Sequence, residues 1–288
     1  MTPVNDPDAA LEYHRLTRHG SSVEQPERFV SFRPLDPSNR PAPFKLYPDR
    51  PPVPLPRDLG ETGATAFAAL SGTFRGPPAA LDATVLARLL FFAAGVTRTS
   101  SSPDGSRTYF RAAMSAGNLH PVELYVVSGG IPGIPAGVHH FTPLAMGLTP
   151  VRDLPPGGPL VLVLTAIPWR TGWKYGERGF RHLYWDAGTL LANLLAMATA
   201  HGLDARVHVG FPDDAISRLV GIDGVSEVPL ALVTLGDDVA LPDPGEPARF
   251  RTMPLSRQPI EFPLVTDAQT AGALPEPGAV ARWQATAR

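Results

Sequence analysis

The chain has 288 residues, a formal net charge of −2 and no cysteine. That length is enough for one large domain with a sizeable core. The balance of charge offers no basic field for nucleic acid or an anionic membrane. The missing thiols exclude disulfides, a cysteine nucleophile and thiolate-ligated metal.

The first stretch, Met1 to about Gly63, is rich in proline and charge, and each proline removes a donor and restricts its predecessor. It also carries Tyr13, Phe29, Phe32, Phe44, Leu46 and Tyr47, more aromatic character than a disordered tail needs. An extended arm packed on a surface is expected, with a short helix over Asp8 to Arg18. No charged segment followed by an apolar run marks an export signal, and the longest apolar runs are too short for a bilayer, so a cytoplasmic protein is expected.

Asp82 to Gly95 reads as a helix: Asp82 is an N-cap, Val85, Leu86, Leu89, Leu90 and Ala93 fall at helical spacing, and Gly95 ends it. Val96 to Ser106 reads as a Ser/Thr-rich loop carrying Arg98, with Arg107 just beyond. Arg111 then opens a stretch of small and polar residues, Ser115-Ala116-Gly117-Asn118, before the apolar run from Pro121 to Val127. Short side chains let backbone amides approach a ligand, and the run that follows is a buried strand. A cation, a tight turn and a core strand suit an anionic or heteroaromatic ligand at a sheet edge. A plain surface loop leading into a hairpin is the alternative.

Further strands are expected at Gly137 to Thr142, Leu160 to Ala166, Arg206 to Val209 and Val228 to Leu235. A second long helix spans Phe180 to His201, and a short one spans Pro212 to Val220 with Gly221 closing it. From Asp237 the text is again Pro-rich and reads as a second arm. Strands and helices mix without strict βαβ alternation, which favours an α+β fold. The boundaries are an arm at 1–63, a core domain at 64–240 and a C-terminal arm or linker at 241–288. Adjacent strand residues face opposite ways, so His139 and His140 cannot chelate one ion, and no metal site is assigned. Asp213 and Asp214 read as helix N-terminal charge.

With these elements placed, four stretches resemble the flavin-dependent nitroreductase superfamily, in its SagB-type azoline dehydrogenase branch. They are Leu86 to Arg98; Arg111-x-x-x-Ser-Ala-Gly-Asn-x-x-Pro-Val-Glu-Leu-Tyr125; Lys174-Tyr175-Gly-Glu-Arg-Gly-Phe-Arg181 with Asp186 to Asn193; and Gly210-Phe-x-Asp213 with Leu219 to Asp223 and Glu227 to Gly236. The resemblance implies a nitroreductase-like fold, a mainly antiparallel sheet flanked by helices. It also implies FMN bound at the interface of a homodimer or of a second nitroreductase-like module. Arg98, Arg111, Ser115, Ala116, Gly117, Asn118 and Gly210 would bind the cofactor. Lys174 and Tyr175 would be catalytic, one of them moving the proton when an azoline ring in a modified peptide is oxidised. A lysine can do this only if desolvation or nearby cations, such as Arg170, Arg178 and Arg181, favour its neutral form. Nitro or quinone reduction with NAD(P)H, and a flavin-free scaffold or peptide-binding module, are the alternative functions. The chain departs from the pattern at Met114, where Pro is usual, and at His120, where Tyr is usual. The arginine cluster expected near Ala66 to Gly76 is reduced to Ser71 and Arg75, and Asp237 and Asp238 stand where a basic pair would follow Gly236.

Overall fold

A computed structural model describes residues 6–18, 34–236, 241–246 and 250–286. Phe29, Phe32, Asp237 and Asp238 lie outside them. In chain order the elements are α1 (Pro7–Thr17), β1 (Val53–Pro54), α2 (Ala66–Leu70), α3 (Ala83–Ala94), β2 (Val96–Ser101), β3 (Arg107–Arg111), β4 (Val122–Ser128), β5 (Gly137–Thr142), β6 (Gly147–Asp153) and β7 (Leu160–Ala166). They continue with α4 (Pro168–Tyr175), α5 (Gly179–Ala200), β8 (Ala205–His208), α6 (Asp213–Val220), β9 (Val228–Leu235), α7 (Pro263–Gly272) and α8 (Pro277–Thr286).

Seven strands form one sheet in the order β1-β6-β5-β4-β7-β9-β8. Every pairing in it is antiparallel, as the α+β reading expects. The middle strands β4 and β7 are buried along their whole lengths, which is why they read as unbroken apolar runs rather than alternating ones. On one face lie α3 and α5, whose Leu86, Leu89, Leu90, Leu183 and Leu194 pack with Val122, Leu124, Val126, Leu162 and Leu164. On the other face Phe211 and the α6 residues Ile216, Leu219 and Val220 meet Tyr125, Val127, Val161 and Val163, with Tyr47 of the N-terminal arm.

Local chemistry accounts for the helix ends. The Asp82 carboxylate accepts from Thr84 N and Val85 N at 2.9 Å, satisfying two of the four free amides of α3. Gly221, in the left-handed region, ends α6. Pro212 is the cap residue of that helix and not part of its first turn.

Several expectations are corrected. Val96 to Ser106 is not a loop, because β2 and β3 pair as a hairpin; Thr and Ser at alternate positions tolerate an exposed ladder. The sequence reading passed over β6 and α4. The C-terminal arm, for which no element was expected, carries α7 and α8. Both of those helices and α4 start at a proline, a position where its fixed φ helps and its missing N–H costs nothing. The two arms run together: Ala42 N donates to Leu255 O at 2.6 Å and Met253 N to Leu46 O at 2.9 Å. Among the described residues no helix is long and apolar enough to cross a membrane.

Candidate active site

The site gathers at the sheet end where β4 begins. β3 delivers Arg111, and the chain then turns through Gly117 (φ 63°), Asn118 (φ 56°) and His120 (φ 48°) before entering β4. Three left-handed residues in four are costly unless the turn is held. It is held by its own hydroxyl and by one carboxylate. Ser115 Oγ accepts from His120 N at 2.8 Å and donates to Asp186 Oδ2 at 2.5 Å, while Ala116 N donates to Asp186 Oδ1 at 3.0 Å. Asn118 donates to Tyr109 O at 3.0 Å and meets His120 Nε2 at 2.8 Å. Burial, reinforced by Arg111 and Arg170, pushes the His120 imidazole down to about 3. His120 is therefore neutral near pH 7, and its Nε2 donates to the Asn118 carboxamide oxygen.

Gly117 is where distant parts of the chain meet. A Cβ there would lie 2.9 Å from Tyr175 Oη and 3.1 Å from Lys174 Nζ, so a side chain would displace both groups. Lys174 and Tyr175 close α4, and Gly176 (φ 55°) turns the chain towards α5. The Tyr175 ring stacks on His182 of α5 at 4.2 Å and 17°. His182 Nδ1 lies 3.2 Å from Arg178 O, and burial lowers its pKa.

The other expected residues are spread wider. Arg111 is buried, 4.9 Å over the Phe44 ring, and donates to Pro43 O at 2.5 Å; among the described residues its Nε has no hydrogen-bond partner. Burial lowers it to about 10. Arg98 lies on the exposed hairpin, 4.1 Å over Phe110. Gly210 follows β8 at the same end of the sheet, because β4, β7, β9 and β8 alternate in direction. A Cβ on Gly210 would come within 2.5 Å of the Trp283 indole, so α8 lays an aromatic ring on it. His139 and His140 part as expected, one to Pro135 O and the other to Glu123.

The three arginines near Lys174 in sequence are committed elsewhere. Arg170 is fully buried and donates to Glu123 Oε1 at 2.5 Å, His120 O at 2.8 Å and Ala42 O at 3.1 Å. Arg178 bonds Thr17 O, and Arg181 bonds Thr17 Oγ1 and His14 O. Lys174 itself is exposed.

Sequence reasoning gave no role to Asp186 or His182. The available signal was a carboxylate inside the apolar helix pattern, between Leu183 and Leu190. Asp186 is buried, which raises its pKa against the lowering effect of Ser115 and Ala116 N.

Comparison with known proteins follows the same outline. The nitroreductase family profile matches residues 148–237. A protein of Methanocaldococcus jannaschii named as a nitroreductase is 31% identical over 167 residues, 52% of this chain and 78% of its own length. The chain belongs to the nitroreductase family. This nitroreductase is also 29% identical over 157 residues to the microcin B17-processing protein McbC of Escherichia coli, which covers 48% of the chain and 57% of McbC. A crystal structure of an Anabaena variabilis protein named as a nitroreductase superposes with a TM-score of 0.62 at 29% identity, over 80% of this chain and 46% of that one. The chain thus spans about half the length of these last two proteins. A peptide-processing relative lies in the direction of the SagB-type resemblance.

Proposed function

We propose that this nitroreductase is a flavin-dependent oxidoreductase that dehydrogenates azoline rings in a modified peptide, with Lys174 and Tyr175 handling the proton. The observation that carries this reading is the meeting of Gly117 with Lys174 Nζ and Tyr175 Oη across 57 and 58 residues of sequence (174 − 117 and 175 − 117). The microcin-processing function in McbC's name supports a peptide substrate.

The residues suit one end of FMN better than the other. Support for the ring end comes from the buried Arg111, whose Nε has no partner among the described residues, and from Arg98 on the adjoining hairpin, while Gly117 is covered by Lys174 and Tyr175. The phosphate end has no comparable support. Ser71 donates to Phe67 O at 2.7 Å, and Arg75 donates to Gly72 O and Phe74 O at 2.7 and 2.9 Å, so both are turned onto their own loop. A second copy or a second nitroreductase-like module is the natural source of that missing grip.

Bound FMN would supply the two-electron acceptor for the ring hydride. This chain's part is to position the ring and take its proton. The Ser115–His120 turn, pinned by Asp186, fixes where a planar group lies, and Arg111 favours negative charge beside it. Lys174 Nζ or Tyr175 Oη takes the single proton, and the His182 stack fixes the phenol's direction.

Lys174→Ala is expected to leave flavin uptake unchanged and abolish turnover of an azoline peptide. Unchanged turnover would refute the role of that residue. The flavin-free module is favoured by one observation, the Trp283 indole resting on Gly210, and a chain that takes up no flavin would support it.

A further inference from the structure

The hairpin of β2 and β3 has an edge whose hydrogen-bonding pattern can be worked out. Ser102 N donates to Ser106 O at 2.9 Å, which makes that pair a hydrogen-bonded one. Alternation along an antiparallel ladder then makes Ser101–Arg107 and Thr99–Tyr109 non-bonded pairs, with Ser100–Thr108 and Arg98–Phe110 bonded between them. The main-chain groups of Arg107 and Tyr109 therefore point away from β2. Asn118 confirms the direction by donating to Tyr109 O from that side at 3.0 Å. Among the described residues no other main-chain group pairs with this outer edge.

The edge faces a cleft of about 240 Å³ lined by Arg107, Thr108, Tyr109, Asn118 and Leu119 and by Arg40 to Pro43. Its charge is positive. Arg40 and Arg107 are exposed side chains, and among the described residues neither has a carboxylate partner. The nearest acids in sequence are taken: Asp36 accepts from Ser38 N and Oγ, and Asp104 accepts from Ser106 N. One end of the cleft reaches the candidate site. Asn118 adjoins Gly117, against which Lys174 and Tyr175 pack, and Arg40 lies 5.7 Å from the Trp173 ring beside Lys174.

We propose that this cleft docks an extended, carboxylate-bearing peptide segment as an added strand on β3, with Arg40 and Arg107 holding its acidic side chains. Strand addition supplies sequence-independent hydrogen bonds from the N–H and C=O of Arg107 and the N–H of Tyr109, and the two guanidiniums supply selectivity. The segment's far end is delivered to Lys174 and Tyr175. That delivery rests on the role proposed above for those two residues, whereas the docking does not.

Binding of a fluorescein-labelled peptide with glutamate at alternate positions, followed by anisotropy on the full chain without flavin, tests the inference. Arg40→Glu with Arg107→Glu is expected to weaken binding by about tenfold or more, two exposed ion pairs being lost and reversed. Arg251→Glu, the same reversal at one exposed position away from the cleft, should leave affinity within about twofold. Replacing the glutamates by glutamine, or N-methylating the peptide on one edge, should each weaken binding; added salt should weaken the glutamate peptide more than the glutamine one. Equal affinity for the two peptides, an unaffected double variant or an unaffected N-methylated peptide would each overturn the proposal. Lys174→Ala should bind the peptide as the parent does, so lost turnover with retained binding separates the chemistry from the docking. Flavin uptake with no peptide binding would remove the cleft and leave the oxidoreductase reading standing.

Discussion

Both faces of the central sheet carry an apolar layer, but the face under α6 adds a buried polar network, and β4 shows the difference. Its even residues Val122, Leu124 and Val126 point into an apolar layer under α3 and α5. Its odd residues Glu123 and Tyr125 enter a buried polar network. Glu123 accepts from Arg170 at 2.5 Å and pairs with His140 at 2.9 Å. Tyr125 and Thr165 donate to Glu227, which also pairs with Lys45 at 2.5 Å. The apolar face is stabilised by area removed from water and is indifferent to which partner supplies it. The polar face is specific, because its cations come from elsewhere: Lys45 from the N-terminal arm and Arg170 from α4. Arg170 also reaches Ala42 O and His120 O, and Arg111 reaches Pro43 O. The network therefore fastens the arm and the site turn to the sheet at once.

Removing one member of that network should give the largest effect. Glu123→Ala leaves Arg170 and His140 buried without their carboxylate and should cost about 3–5 kcal/mol in denaturant unfolding. Leu162→Ala on the apolar face is fully buried and should cost about 2–5 kcal/mol through lost transfer and a cavity. What separates the two is pH. Burial alone would raise the Glu123 carboxyl, but Arg170, the His140 hydrogen bond and Arg111 together hold it well below its ordinary range. A depressed carboxyl stabilises fully above its unfolded value, about 4.5, and that stabilisation is lost as pH falls below it. The penalty of Glu123→Ala should shrink in acid while that of Leu162→Ala stays constant. Equal pH profiles for the two variants would remove the distinction between the faces.

A smaller effect belongs to the fastening of the C-terminal arm over the polar side. Asp213 N donates to Leu274 O at 2.8 Å, and Leu274 N donates to the Asp213 carboxylate at 2.7 Å. Burial, against those hydrogen bonds, raises Asp213 to about 6 from 3.8. Here the sign is reversed. The folded chain binds the extra proton, so stability should fall as pH rises from about 4 to about 6 and level off above. Asp213→Asn should flatten that slope; a slope that persists would place its origin in another group.

The same contrast explains what could be read from the sequence. The apolar face announced itself: α3 and α5 have helical spacing with caps, and β4 and β7 are continuous apolar runs. The α+β class and the site turn at Ser115 to Asn118 were legible for that reason. The hairpin of β2 and β3 was not, because a Ser/Thr-rich exposed ladder lacks apolar alternation. The helices α4, α7 and α8 were hidden behind prolines that start them. The Ser115–Asp186 bond joins residues 71 apart, and the His182 stack depends on how α4 and α5 pack. No local pattern encodes either contact. The cations expected to surround Lys174 were misplaced for the same reason, since their partners Glu123 and Thr17 lie far away in sequence.

The central proposal is that a flavin ring rests on the Asp186-pinned turn while this chain grips the phosphate weakly. Titrating the purified chain with riboflavin and with FMN, followed by flavin fluorescence, tests both parts together. The account predicts that both are bound and that FMN is favoured by no more than about tenfold, the worth of one exposed ionic contact or two. Binding of neither would contradict it.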